Sequence, residues 1–226
     1  MAAFDLFKLS FLVTTLFSGS NLVPEKNGGG IVAVFPPTCN RIECPSYDVI
    51  HSGMGLKSGG ITPACGFPLS LLMTFPLLTP AELASFILGG KNDNQQKIEM
   101  TAPVLTQVKP SDGPFCTSSF VISFYVPKEN QATAPSAKNL RLQKWGLTYV
   151  AVRQFSGFVM DDDVGKEAAA LSASIAGTVW SDAVEKSHKG DNTTEYIVAQ
   201  YNSPFEFKNR VNEIWLTFDM EDGLAI

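Results

Sequence analysis

Few residues in this chain have the types and spacing needed for metal binding or nucleophilic catalysis. The sequence contains two histidines and four cysteines, and no two cysteines have the C-x-x-C spacing typical of zinc sites. It also lacks a G-x-S-x-G nucleophile motif, a P-loop and a G-x-G-x-x-G nucleotide-binding motif. Because no nucleophile–base set can be recognised, the sequence argues against an enzyme.

The histidines and one acidic run are the remaining places for site chemistry. His51 ends an apolar stretch, where its imidazole could ligate a metal or could simply be a polar residue at the end of a strand. His188 lies in the polar segment 187–191, which is typical of a solvated loop. The acidic residues 161–163 precede a helical pattern, so they predict a helix cap with favourable negative charge rather than a metal site.

Length and composition predict one globular domain to position these residues. The 226 residues suffice for a domain of about 180 to 200 residues plus a leader. Hydrophobic residues make up 45% of the chain and charged residues 17%, an ordinary globular balance. The net charge of −5 argues against a nucleic-acid partner. No apolar stretch approaches the roughly 20 residues of a transmembrane helix, and the oligomeric state is unknown.

The N-terminal residues indicate the compartment. The apolar run 6–17, followed by small residues, predicts a signal peptide over residues 1–20, with a hydrophobic tail as the alternative. Residues 21–38 then form a linker. Asn192 begins an N-glycosylation sequon, which agrees with a secreted protein. In a secreted chain a disulfide among Cys39, Cys44 and Cys116 is expected, with the pairing open. A cytoplasmic or plastid location is the alternative.

The periodicity of apolar residues predicts strands separated by helices. In residues 97–104, Ile98 and Met100 alternate with Glu99 and Thr101, which predicts a strand that Pro103 ends or bends. Other strands are predicted at residues 47–51, 120–126, 140–145, 147–155, 195–201 and 212–218, and helices at 80–88, 161–177 and 179–186. The order strand, helix, strand recurs in both halves, which favours an α+β fold with a weak internal repeat and a mostly antiparallel sheet.

Several motifs carry a family resemblance. They are K-I-E-M-T-A-P-V (97–104), V-I-S-F-Y-V-P (121–127), V-A-V-R-Q-F-S-G-F (150–158), Y-N-S-P-F-E-F (201–207) and N-R-V-N-E-I-W-L (209–216). Together they resemble the SOUL heme-binding protein family from residue 91 to 219. The segment C-N-R-I-E-C-P-S-Y-D-V-I (39–50) resembles plant secreted members in particular. The resemblance implies a SOUL domain over residues 39–226, with a pseudo-two-fold, twisted, barrel-like sheet flanked by two helices.

The same resemblance implies a non-enzymatic protein that binds heme or another tetrapyrrole, for transport or scavenging. Family members are thought to hold the macrocycle in a shallow apolar groove. The candidate lining residues are Ile98, Met100, Trp145, Phe155, Phe158 and Trp215, each of which also fits a plain core position, and His51 is the candidate axial ligand. The alternatives are a structural or interaction protein that has lost the ligand site and an enzyme acting on a tetrapyrrole.

Residues 55–90 depart from the family pattern. Codons for residues 57–67 can be chosen so that an adjacent reading frame spells E-I-R-R-Y-N-S-G-L-W-F, and codons for residues 74–85 so that it spells D-I-S-F-V-D-A-S-R-T-G-F. Both hidden readings resemble the missing family segment. We therefore interpret residues 55–90 as a frame-shifted stretch, which arises from a gene-model error or from paired indels. We expect the first half of the domain to pack poorly if the chain is made as printed.

Overall fold

Nine strands and two α-helices make up the part of the chain that the structure describes. This computed structural model describes residues 36–49, 61–67, 70–75, 92–109, 119–137, 140–189, 196–203 and 205–220. In chain order the elements are β1 (Asp48–Val49), β2 (Ile61–Phe67), β3 (Ser70–Phe75), β4 (Val104–Lys109), β5 (Ser119–Tyr125), β6 (Arg141–Trp145), β7 (Thr148–Phe155), α1 (Asp161–Ile175), α2 (Val179–Ser187), β8 (Tyr196–Gln200) and β9 (Asn212–Phe218).

The strands form one curved sheet in the order β1-β2-β7-β9-β8-β4-β5-β3-β6, and every pair is antiparallel. The edge strand β6 is connected to β7, in the interior of the sheet, by Gly146 and Leu147 alone. Because two residues cannot cross the width of a sheet, the sheet must curve until β6 approaches β7. No pairing joins β6 to β7 or to β1 among the described strands, so the sheet is not closed into a barrel. The predicted α+β class is confirmed.

Strand alternation divides the buried side chains between two faces of the sheet. Tyr125 of β5 and Val150 of β7 belong to one cluster although three strands separate β5 from β7, so this face is concave; Leu105, Ile197 and Trp215 also lie on it. The convex face is covered in two parts. Helices α1 and α2 cover one part. On the other part, side chains of β4 and β5 form a smaller cluster with Ile98 and Met100.

The helices agree with the sequence pattern except at the first N-terminus. Helix α1 has Met160 as its N-cap and no capping side chain, so the prediction that the acidic residues cap it was wrong. Asp162 and Asp163 lie in the first turn instead, where negative charge is favourable. Gly177, with φ of +73°, follows the end of α1 as predicted. None of the described helices is long and apolar enough to cross a membrane.

The stretch 97–104 differs from its prediction as a strand. Residues 95–100 have no regular secondary structure, and β4 begins only at Val104, directly after Pro103. Ile98 and Met100 are buried as predicted, but Thr101 is buried as well, and its hydroxyl is satisfied by donating to the carbonyl oxygen of Tyr125 at 2.6 Å. A single bridge to Glu43 replaces the expected ladder.

Two strands come from the segment that departs from the family pattern. Strand β2 pairs with β1 and β7, and β3 pairs with β5 and β6. The register of β2 is irregular between Thr62 and Cys65, where Pro63 has no N–H to donate. Strand pairing does not measure packing, so the expectation that this half packs poorly stays a prediction. The helix predicted at residues 80–88 and the signal peptide at residues 1–20 lie outside the described residues.

Candidate functional site

An exposed aromatic surface lies at the end of the sheet where β7 ends and where the chain passes from β8 to β9. Phe205 and Phe207, in the connection 201–211 that we call the aromatic loop, are 63% and 73% exposed. The ring of Phe207 lies 5.9 Å from that of Phe158, which follows β7. Grouped apolar side chains in water mark surfaces that bind a partner or ligand. These phenylalanines therefore form a candidate site.

Arg210 holds the aromatic loop in shape. Its guanidinium donates to the carbonyl oxygens of Gly157 at 3.2 Å, of Ser203 at 2.6 Å and of Glu206 at 2.8 Å. The guanidinium carbon Cζ lies 4.4 Å from the centre of the Phe158 ring, within range of a cation–π interaction. Because one buried cation joins the segment after β7 to the aromatic loop, the exposed rings are presented on a fixed frame.

Glu206 provides the second anchor of the loop. Its carboxylate accepts hydrogen bonds from the backbone N–H of Ser203 and from the side-chain amide of Asn202, both at 3.0 Å, and it forms an ion pair with Arg41. Burial opposes ionisation of Glu206, but the hydrogen bonds from Arg41 and Asn202 outweigh it and hold the pKa of Glu206 below its usual value. The hydrogen bonds and the ion pair of an ionised carboxylate therefore stabilise the loop.

At Arg210, unlike at Glu206, the shift of the pKa disfavours the charged form. Burial lowers the pKa of the Arg210 guanidinium, and the nearby charge of Glu206 partly offsets that effect. An arginine remains protonated at any physiological pH. Arg210 is thus a charged group held against aromatic and carbonyl groups.

A buried carboxyl group lies behind the loop on the concave face. Glu213 accepts hydrogen bonds from the indole N–H of Trp215 at 2.7 Å, from the hydroxyl of Tyr201 at 2.9 Å and from the side-chain amide of Gln154 at 2.8 Å. Burial raises the pKa of Glu213, although these three donors favour the ionised form. This network fixes the start of β9 and so the end of the aromatic loop.

Comparison with known proteins decides the family. The family model of the SOUL heme-binding protein matches residues 79–217, more than half of the chain. The chain belongs to the SOUL heme-binding protein family. It is 34% identical to heme-binding protein 2 of Homo sapiens over 139 residues, which cover 60% of this chain and 62% of that relative.

Other relatives agree with this assignment. Heme-binding protein 2 of Mus musculus is 32% identical over 57% of the chain and 60% of the relative. Heme-binding protein 1 of Sus scrofa is 29% identical over 57% of the chain and 64% of the relative. The chain thus matches less than two thirds of the length of these relatives. Membership of the SOUL family also agrees with the expectation of a non-enzymatic binding protein.

The structure distributes the predicted lining residues over separate regions of the SOUL domain. Trp145 and Trp215 lie in or against the concave cluster, whereas Ile98 and Met100 are buried in the cluster on β4 and β5. The remaining two lie near the end of β7: Phe155 packs against the cluster beneath the helices, and Phe158 belongs to the exposed aromatic surface. Contact of these residues with heme stays a prediction.

The other predicted features differ in what the structure describes. Cys39 and Cys44 form a disulfide, which resolves the pairing left open by the sequence. Cys116, His51 and the sequon residue Asn192 lie outside the described residues. The part of the chain that the structure describes contains no group of three or more His, Cys, Asp or Glu that could hold a metal ion.

Sequence reasoning missed Phe205, Phe207 and Arg210 as site residues. The motif Y-N-S-P-F-E-F identified the family, but its two phenylalanines were not recognised as exposed. One signal was available: the phenylalanines follow a turn signal, Asn-Ser-Pro, and so fall in a connection rather than in a strand. Apolar aromatic residues in a connection are candidates for binding.

Proposed function

We propose that this protein binds heme or another tetrapyrrole on the exposed aromatic surface of Phe158, Phe205 and Phe207. The observation that carries the proposal is the exposure of 63% and 73% for the two loop phenylalanines, on a loop to which Arg210 donates two hydrogen bonds. A flat apolar macrocycle gains affinity mainly from covering such rings. A pre-formed loop also loses little conformational entropy when the ligand binds. Relatives in the same family carry the name heme-binding protein.

Cations beside the rings suit the two propionate groups of heme. Lys208 is exposed next to Phe207 in the sequence, and Arg41 is exposed where it meets Glu206. Lysine and arginine are the side chains that pair with carboxylates in water and at interfaces. A propionate could therefore bind Lys208 directly or compete with Glu206 for Arg41. The exposed rings form an open surface rather than an enclosed pocket. His51 stays the candidate axial ligand, with a polar residue at a strand end as the alternative.

The test is a hemin titration followed by the Soret band. Each loop ring is already about one third buried, so covering it should contribute about 1 kcal/mol or more. The double variant Phe205→Ala/Phe207→Ala should therefore weaken hemin binding by about 30-fold or more. A matched control is Leu147→Ala, because Leu147 is 60% exposed but lies in the turn between β6 and β7. That variant should bind hemin like the parent protein.

Three outcomes would contradict the proposal. The first is no Soret shift for the parent protein at micromolar hemin, and the second is equal loss in the loop variant and the Leu147 control. The third is an unchanged affinity in the loop variant. His51→Ala tests ligation separately: an unchanged Soret band in that variant would exclude His51 as the axial ligand.

Transport or scavenging, secretion and membership of the plant secreted branch are parts of the same proposal. The Cys39–Cys44 disulfide supports an oxidising compartment, because disulfides persist mainly in secreted chains. The second candidate function is a structural or interaction protein that uses the same exposed phenylalanines to dock a protein partner. The interaction-protein candidate predicts that the parent protein binds no hemin, whereas the heme-binding proposal predicts a saturable Soret shift.

A further inference from the structure

A polar cavity lies at the opposite end of the sheet from the aromatic loop. It has a volume of about 330 Å³ and is lined by Gln107, Gln143, Lys144, Trp145, Gly146, Thr148, Ser187, Ile197, Thr217, Phe218 and Asp219. Strand β9 runs from the aromatic loop at Asn212 to this cavity at Phe218, a length of about 20 Å for a strand of seven residues. The two sites are therefore separate.

The curvature of the sheet creates this cavity. Gln107 of β4 and Ile197 of β8 are paired neighbours on the concave face. The end of β6, with Lys144 and Trp145, comes to the same place because the short connection to β7 brings the edge strand across the concave face. The cavity therefore lies between paired strands and a strand that is distant in the sheet order, and it is open to solvent on the side of Lys144 and Asp219, which are exposed.

Four polar groups of the cavity have no bonding partner within the described part of the chain. They are the ammonium of Lys144, the indole N–H of Trp145, the side-chain amide of Gln107 and the carboxylate of Asp219. Lys144 and Asp219 line the same cavity, yet they form no ion pair with each other. By contrast, the hydroxyls of Thr148 and Ser187 are already bonded to backbone groups. Such a set can bind both an anionic and a cationic group.

We propose that this cavity binds a small zwitterion with an apolar side group, of the chemical class of a free α-amino acid. The ammonium of Lys144 would bind its carboxylate, the carboxylate of Asp219 would bind its ammonium, and the ring of Trp145 would cover the side group. The volume equals about eleven water molecules at roughly 30 Å³ each, which suits about a dozen non-hydrogen atoms. A tetrapyrrole has several times that number of non-hydrogen atoms and is larger than this volume.

The experiment uses L-phenylalanine as the probe and the full chain labelled with ¹⁵N. The chain has three tryptophans, so Trp145→Phe assigns the indole N–H signal of Trp145. We expect that signal to shift saturably with millimolar L-phenylalanine, while the indole signal of Trp215, which is bonded to Glu213, stays in place. L-phenylalaninamide lacks the carboxylate and N-acetyl-L-phenylalanine lacks the ammonium, and each should bind about five-fold more weakly.

Two variants separate the charge contacts from general aromatic binding. Lys144→Gln should remove the preference for L-phenylalanine over its amide, and Asp219→Asn should remove the preference over the N-acetyl derivative. Lys166→Gln is a matched control on the exposed side of α1, and it should change neither preference. The proposal is overturned if the Trp145 signal does not shift saturably, if the blocked analogues bind equally well, or if both preferences survive in both variants. Hemin binding plays no part in this readout, so the two proposals fail or stand separately.

Discussion

The replacement Arg210→Met tests whether a single buried cation holds the aromatic loop. In the parent protein Arg210 donates hydrogen bonds to three carbonyl oxygens, of Gly157, Ser203 and Glu206. Hydrogen bonds from a charged donor are worth about 1.5 to 3 kcal/mol each, so a simple sum would exceed about 4.5 kcal/mol. Methionine fills much of the same volume and keeps none of these bonds.

The structure shows why the loss should be smaller than that sum. The carbonyl of Gly157 also accepts from the side-chain amide of Asn212 at 2.9 Å, and the carbonyl of Ser203 also accepts from the N–H of Glu206 at 3.0 Å. Two of the three acceptors therefore keep a partner in the variant. We expect a loss of about 3 kcal/mol in the free energy of unfolding, including about 0.5 to 1 kcal/mol for the cation–π contact with Phe158.

Urea unfolding followed by tryptophan fluorescence gives this loss, and amide hydrogen exchange locates it. Exchange should accelerate in residues 202–211 and not in α1. The matched control is Arg41→Met, which removes the exposed cation that pairs with Glu206 of the loop and should cost at most about 1 kcal/mol. A loss under about 0.5 kcal/mol for Arg210→Met, or equal losses for the two variants, would refute the reasoning.

Three further predictions concern other parts of the chain. Because burial raises the folded-state pKa of Glu213 above its unfolded value of about 4.3, the stability that this group contributes falls as pH rises above that value; the advantage of the parent over Glu213→Gln in urea should thus be larger at pH 4 than at pH 7.5, and an equal difference at both would contradict it. The variant Cys39→Ala/Cys44→Ala removes a disulfide with a sequence separation of 5, so its free energy of unfolding in urea should fall by about 2 kcal/mol, as in the reduced parent protein; an unchanged unfolding midpoint would argue against a stabilising disulfide. The hidden readings of residues 57–67 and 74–85 both lie in the frame that starts at the third base of the preceding codon; if a gene-model error produced the printed residues, the sequenced transcript should encode the hidden readings, and an unbroken frame encoding the printed residues would exclude that origin and leave paired indels.

Strands and helices with strong patterns could be predicted from the sequence. Residues 212–218 were predicted as a strand, and β9 has the same bounds, because Ile214, Trp215, Thr217 and Phe218 are residue types that favour strands. The helix at 179–186 also agrees with α2. The strand predicted at 97–104 was wrong, because alternation reports burial and not the hydrogen bonds of a ladder.

The residues of the candidate site were harder to predict from the sequence. Reasoning from residue types placed Trp215 and Met100 among lining residues, since large apolar side chains are found both in binding sites and in cores. In the fold both are buried, with 2% and 7% of their surfaces exposed. Phe207 had the same chemistry and received no prediction, although it is the most exposed of the three.

The sequence by itself determined the family, the α+β class and the order of most strands, because motifs and periodicity are local properties of the chain. Tertiary structure decided the aromatic loop and the polar cavity, because both depend on contacts between residues that are distant in the sequence. Arg210 meets Gly157 across 53 residues, and Arg41 meets Glu206 across 165. The cavity beside Trp145 exists because the sheet curves until β6 approaches β7, and no local pattern records that curvature.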